Sequence, residues 1–442
     1  VATKTWIGNA LDRKQINTIT VANTWATGDT ATMTINGKDL IVTVGATGTS
    51  TANVAIALKE AWMSATRSDG TGTPDATSNA GGQEFGEFAE MTATVSGSVV
   101  TLIANTAGNP ITLTVTEATA TTGTATLATP QAATGREFWS DADNWDSGTV
   151  PASDDIVVFR DSDVSCRYGL PNGSLEVTIQ QWMSYTGEIG LPEINRNDPR
   201  KPYHEYRQRY VRLDDAGAGT DIAHRFGLGK DGVGSTLINL KHSTLKCSPI
   251  VYNTGKPLVS RVGTKALNIC CTANTSILKV VNGSVDFSSQ DGGTSAFVSF
   301  TQNAGDTRGV EAIYTSGAGV NVYGGYCVLG QAGAINIILV KGGTLRLEGQ
   351  TGTIANVGLY SGGILEYVST ATITTLIVHM GTFDARGDSG GFTVGTGSMY
   401  AGSKWHDPYQ RMTVSGNFFL YFNPSPDLDF GANVGSAVTL SY

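Results

Sequence analysis

Between Ile335 and Ala385 the apolar positions fall into short runs that alternate with polar ones, and each run breaks at a glycine. LVKGGTLRL turns at Gly343, LYSGGILEY at Gly363 and IVHMGTFDA at Gly381, so one phrase occurs three times at nearly even spacing. A period of about 20 residues is that of a solenoid, in which one coil cannot bury its apolar face until a neighbour stacks on it. Backwards, VNVYGGYCVL places Gly325 one such period before Gly343, and LKVVNGSVDF places Gly283 two further periods back. Forwards, VGTGSMYAG offers Gly397, slightly less than one period beyond Gly381. The runs are rich in Val, Ile, Leu, Tyr and Phe, and no helix-length apolar stripe separates them. The pattern predicts a mainly β chain: a right-handed parallel β-helix (solenoid) over residues 220–402, with room for about seven to nine coils at this period. A β-sandwich also has regular turns, but here a phrase repeats as well as a period.

The N-terminal part of the chain, 1–134, reads differently. After a short tryptophan-bearing lead (1–13), INTITVANTW, DTATMTING and KDLIVTVGA alternate strictly, with turns at Gly28-Asp29 and Gly37-Lys38, as half-buried antiparallel strands do. STANVAIALKEAWMSA predicts one helix, capped by Ser50 or Thr51, with Val54, Ala57, Leu58, Ala61 and Trp62 on one face. Residues 66–86 have the composition of a flexible loop. Strands resume in MTATVSGSVVTLIANTAG and NPITLTVTEA before a Thr/Ala/Gly-rich close. Residues 14–134 are thus expected to form an α+β module of about six strands and one helix.

REFWSDADNWDSGTVPASDDIVVF follows, opening a segment expected to run from 135 to 219 as a cap and an Arg/Tyr-rich stretch. Trp139, Asn144, Trp145, Gly148, Pro151, Asp155 and Val158 resemble the opening phrase of many β-helical surface proteins, where it caps the first coil. TKTW at the N-terminus resembles the usual start of such a cap, which would make 14–134 an insertion into it. Cap phrase, Thr-rich module and Gly-punctuated coils together resemble phage and prophage virion surface proteins: tailspikes, head fibres and capsid decoration proteins. The resemblance implies a structural protein of a virion surface, made in a host cytoplasm and assembled as a homo-oligomer, a trimer by the habit of that class. Its partners would be other virion proteins such as the major capsid protein, with a host surface glycan as a further one. Tailspike enzymes usually have longer solenoids than this chain has room for. A tailspike-like glycan binder or depolymerase and a bacterial cell-surface adhesin are the competing readings.

Composition narrows the chemistry. Glycine is 55 of 442 residues and charged residues are 15%, so turns are many and charged helix surface is scarce. A net charge of −9 argues against general nucleic-acid binding. No run approaches membrane-spanning length, and no basic-then-apolar leader opens VATKTWIGNA. Five cysteines without ligand spacing predict neither a disulfide framework nor a metal, and adjacent Cys270 and Cys271 should face opposite sides of a strand. No cofactor fingerprint is present.

Three stretches carry candidate chemistry. In INRNDPRKPYHEYRQRYVRL, Arg196, Arg200, Lys201, Arg207, Arg209 and Arg212 interleave with Tyr203, Tyr206 and Tyr210. Arginine beside aromatics grips protein surfaces, and it also holds anions by pairing and stacking; contact with an acidic neighbouring subunit is the simpler use in this acidic chain. The third residue after each turn glycine gives Asp286, Val328, Arg346, Glu366 and Asp384, one column if the register holds. Glu366 and Asp384 would then stand about 5 Å apart, the separation of a retaining glycosidase pair. The alternative is a solvent-facing charge ladder in which Arg346 neutralises Glu366. DADNWDSG spaces oxygens like a calcium loop but lacks the closing glutamate, and a self-capping turn explains it as well. The histidines are scattered, and His379 reads as a wall residue of a coil. Finally, residues 403–442 break the period; NFFLYF predicts a C-terminal cap or trimerisation segment built on Phe418, Phe419, Tyr421 and Phe422.

Overall fold

The computed structural model describes residues 1–35, 37–64, 75–173, 175–190, 211–213, 223–229, 238–242, 248–253, 267–271, 276–287, 295–309, 313–330, 333–387, 390–421 and 438–440. The chain is mainly β, with parallel strands stacked as a solenoid of about nine turns. Its strands fall into two long parallel sheets, one of fifteen strands and one of ten, which the chain visits alternately from Thr178–Trp182 to Lys404–His406. Strand Ile335–Val340 lies in the larger sheet and Thr344–Glu348 in the smaller; Ile354–Tyr360 returns to the larger and Ile364–Val368 to the smaller. Pairing is in register from coil to coil, Ile335 on Ile354 on Ile373 on Val394.

That register stacks like side chains inside. In the smaller sheet Cys327, Leu345, Leu365, Phe383 and Trp405 form one inward column, all buried. In the larger sheet Ile338, Val357 and Leu376 form another. The next position in that column is Gly397, where an added Cβ would run into the Phe418 ring. Gly397 is therefore not a turn glycine: it sits inside strand Phe392–Tyr400, making room for an aromatic of the following coil, and the left-handed residue of the turn is Gly402. The turn between Gly283 and Gly325 lies at Gly305, also left-handed.

The marker glycines serve two purposes. Gly283, Gly325 and Gly343 have φ of +108°, +76° and +67°, a region that costs an L-residue about 1–2 kcal/mol. Gly363 and Gly381 do not; in their turns Ser361, Gly362 and Met380 take the positive φ. They are needed for closeness instead, since a Cβ on Gly363 would collide with the Val340 carbonyl oxygen of the coil below. One inward polar residue supports the same corner: buried Gln302 donates to the carbonyls of Gly305, Gly324 and Tyr326 and accepts from Thr307.

The stack runs beyond 220–402. Thr3–Thr5 pairs in parallel with Ile156–Val158, and that strand with Thr178–Gln181. At the other end Lys404–His406, Met412–Val414, Phe418–Tyr421 and Val438–Leu440 continue the two sheets although the sequence period has lapsed. Phe418 is buried, Tyr421 is 41% exposed, and Phe422 lies outside the described residues.

The module between Arg13 and Thr134, which bridge antiparallel, is an excursion from the first coil. It has two four-stranded antiparallel sheets, more than the six strands the alternation suggested. The extra strands are Ala76–Ser78, inside the stretch expected to be a loop, and Thr124–Gln131, inside the Thr/Ala/Gly-rich close. The helix spans Thr51–Met63, with the Ser50 hydroxyl accepting from the Asn53 amide at 3.2 Å, and its expected face is buried. Leu58 and Trp62 have no exposed surface and pack in a core separate from that of the coils.

Gly343→Ala should lower the urea midpoint by the equivalent of about 2 kcal/mol or more, combining φ strain with a Cβ that would collide with the Gly325 carbonyl oxygen. Gly349→Ala, with φ +63° and open space around it, should cost only about 1 kcal/mol. Equal shifts for the two variants would remove close coil packing as the cause.

Candidate functional site

The carboxylate column holds its register. Asp286 pairs with Arg308, Arg308 with Val328, Val328 with Arg346, Arg346 with Glu366, Glu366 with Asp384 and Asp384 with His406. Acid meets base at Asp286 and Arg308 and at Arg346 and Glu366, while Glu366 and Asp384 set two acids side by side. Arg346 reaches Glu366 at 3.5 Å and its own-strand neighbour Glu348 at 2.5 Å. The Tyr326 hydroxyl also lies 3.5 Å from Glu366. Asp384 takes the Nε and Nη2 of Arg386, at 2.9 and 2.5 Å, together with the Arg386 amide at 3.0 Å. Burial alone would raise the Asp384 pKa, but these hydrogen bonds and the guanidinium charge outweigh it and hold the carboxyl below its ordinary value. Register thus brings Glu366 and Asp384 side by side, each already occupied by an arginine. A pair with one carboxyl kept protonated as an acid needs the opposite environment at that carboxyl. As it stands, the arrangement suits a ladder of arginine–carboxylate pairs that neutralise one another.

Of the Arg/Tyr stretch, Arg196, Arg200, Lys201, Tyr203, Tyr206, Arg207, Arg209 and Tyr210 lie outside the described residues. Arg212 is at the end of strand Val211–Arg212, pairs with Lys241, and donates to the Asn172 side chain at 3.0 Å.

The cap phrase forms the closed end of the solenoid. Trp6, Trp139 and Trp145 are buried together, with ring centroids 5.1 Å apart for Trp6 and Trp145 and 4.9 Å for Trp139 and Trp145, over Phe159 and Tyr185. Two of their indole N–H groups reach backbone carbonyls, Trp145 donating to Trp139 O and Trp6 to Val164 O, both at 2.8 Å. The DADNWDSG oxygens face different ways. Asp141 caps the Asp143 amide, buried Asn144 accepts from Ala10 and donates to Gly135 and Phe138 carbonyls, and Asp146 accepts from the Thr5 amide. Among the described residues no group of three or more His, Cys, Asp or Glu side chains converges on a metal position. Asp155 ties the N-terminus down: it accepts from Ala152 and Ala2 amides at 3.0 and 2.9 Å. The Ala152 hydrogen bond is the main cause of its lowered pKa, outweighing burial, with Ala2 and Lys4 adding to it. Cys166 and Cys270 are buried, and His224 accepts from the Ile179 amide at 3.0 Å, joining two coils.

Where the module leaves the cap there is a cleft of about 670 Å³, within the usual range for ligand pockets. Phe138, Tyr168 and Leu170 line it beside Ser140, Asp141 and Arg167. Arg167 is shared between Glu137 at 3.3 Å and Glu188 at 2.9 Å. Burial and nearby Asp12 and Glu188 raise the Glu137 pKa against the pull of Arg167. With the guanidinium divided between two carboxylates, the cleft offers an anion little.

A further column lies on the larger sheet, at the C-terminal end of its strands. Tyr323, Lys341, Tyr360, His379, Tyr400 and Tyr421 occupy that corner in successive coils. His379 is exposed, with its ring 6.3 Å from Tyr360 and 5.1 Å from Tyr400; Tyr400 stacks on Tyr421 at 4.7 Å and 10°. Reading the residue before the turn, as well as the third after it, would have found this column.

No family model, no curated protein and no solved structure matches the chain.

Acid sensitivity follows from Asp155, Asp384 and Asp29, whose folded pKa values are all lowered. The stability they contribute is complete above the ordinary aspartate range, at about 3.9, and is lost as pH falls through the lower folded values. Asp155→Asn should therefore lower the Tm at neutral pH and narrow the gap between neutral and acid Tm. An unchanged gap would show that Asp155 is not one of the groups responsible.

Proposed function

We propose that this chain is a non-enzymatic structural protein of a phage-like virion surface, of the capsid decoration, fibre or spike type, acting as a homo-oligomer, with a trimer as the expected form. The observation that carries the reading is the continuous parallel stack with a separately cored module inserted at its closed end. In-register coils make a stiff rod, because each strand is hydrogen-bonded on both sides along its length. A module with its own core, set at one end of such a rod, suits attachment to a particle or presentation away from it. The Arg/Tyr stretch would supply contacts to the major capsid protein or a neighbouring copy. The occupied states of Glu366 and Asp384 favour a scaffold over a hydrolase.

Quantitative mass spectrometry of purified particles tests this by the copy number of the chain relative to the major capsid protein. Hundreds of copies are expected for a decoration protein, and a few to a few tens for a fibre or spike. Absence from particles would overturn the virion reading and leave a cell-surface adhesin. The second reading, a glycan depolymerase, is favoured by one observation, the register pairing of Glu366 with Asp384. If it holds, Glu366→Gln should abolish release of reducing sugar ends from host polysaccharide by an otherwise active protein. No release by the unaltered protein is the result expected of a scaffold.

A further inference from the structure

We propose that the corner column Tyr323, Lys341, Tyr360, His379, Tyr400 and Tyr421 is a binding track for a linear acidic polysaccharide lying parallel to the solenoid axis. It is distinct from the carboxylate column, which belongs to the other sheet, and it depends on neither the virion assignment nor the depolymerase reading.

Charge is the first argument. The chain has 38 acidic residues against 29 basic ones, yet none of these six side chains is acidic and two can carry positive charge. The outward column two residues earlier on the same strands, from Asn321 to Phe419, has no charged member at all. The Lys341 ammonium lies 5.5 Å from the Tyr323 ring centre, a cation over a π face, and no carboxylate neutralises it in this column. On the carboxylate column, by contrast, Arg346 and Arg386 are both taken up by acids.

Exposure and chemistry are the second. Tyr323 is 46% and Tyr421 41% exposed, and Lys341 and His379 face solvent. Stacking of Tyr400 on Tyr421 covers the ring faces between them and leaves edges and hydroxyls for a ligand. Phenol and imidazole are hydrogen-bond donors with apolar bodies, suited to a sugar's mixed hydroxyl and C–H surface, while Lys341 pairs with its carboxylates.

Periodicity is the third. Successive coils are about 4.8 Å apart, close to the length of one sugar unit in an extended β-linked chain. A regular polymer lying along the strip therefore meets the same corner at every coil, and weak contacts add along it. A second copy of this chain fits less well. It would have to present an unneutralised acidic column, and the acidic column described here is already paired with arginine.

The test is affinity electrophoresis of the full chain through gels containing polymannuronate, a linear β-linked polyuronate, or hydroxyethyl cellulose, a neutral β-linked chain. Polymannuronate should retard the protein, less so as salt is raised, and the neutral polymer should retard it little. Combined Lys341→Ala, Tyr360→Ala and His379→Ala substitution should raise the apparent Kd roughly tenfold or more. Lys341→Ala alone should weaken binding and Lys341→Arg should restore it; these surface variants carry the test if the triple variant does not fold. The proposal is overturned by absence of retardation in polymannuronate, by equal retardation in the neutral gel, or by unchanged binding of the Lys341→Ala variant. It is equally overturned if the variants change the sedimentation-derived oligomeric state, which would make the column an interface between copies.

Discussion

Everything in this molecule depends on the hydrogen-bond register between one coil and the next. A parallel strand in a two-sheet solenoid finds its backbone partners only in the coils above and below, about 4.8 Å away. Once Ile335 is set on Ile354 and Ile354 on Ile373, every other position of those coils is set as well. The same displacement that stacks Leu345 on Leu365 and Phe383 inside stacks Arg346 on Glu366 and Asp384 outside. Core and surface columns are two sides of one constraint. Slipping one coil by a single residue would turn its apolar side chains out and its charges in.

Such a stack must end somewhere, and an open end exposes unpaired strand edges. At the N-terminal side the solution combines a lead strand with a cluster of buried tryptophans. Thr3–Thr5 supplies the first parallel strand, although its partner Ile156–Val158 follows in the chain only after the whole inserted module. Trp6, Trp139 and Trp145 fill the space above Phe159, while Asn144, Asp146 and Asp155 satisfy amides of the lead segment. The module between Arg13 and Thr134 can be accommodated because its two ends are bridged side by side, so its own core forms without disturbing the cap. At the C-terminal side the sheets persist past the recognisable repeat, with Phe418 buried beside Trp405.

The outer columns differ in electrostatic character. On the smaller sheet Arg346 is shared by Glu348 and Glu366, and Arg386 is held by Asp384. At the corner of the larger sheet, rings and two basic groups recur without acids. A long, regular scaffold can carry both because each column occupies its own position in the coil, and substitution in one leaves the other in place.

The amino-acid sequence by itself determined the coil. Alternation of apolar and polar residues and a glycine phrase recurring along the coils are local signals, and they were enough to read the parallel solenoid, the antiparallel module with its helix starting at Ser50 or Thr51, and the column through Arg346, Glu366 and Asp384. Where local signals are ambiguous the reading slipped. Gly397 looked like a turn but serves as a space for Phe418, Ala76–Ser78 looked like loop but gains a strand partner in Val42–Val44, and the last strands lack the repeat yet pair with it. Only the tertiary structure decided that Asp384 is held by Arg386, that Asp141, Asn144 and Asp146 serve separate backbone groups, and that six corner residues line up as a ring and cation column. The reason is physical: spacing along a chain fixes which residues share a face, whereas what a side chain touches depends on the coil above, and that contact exists only after the coils have stacked.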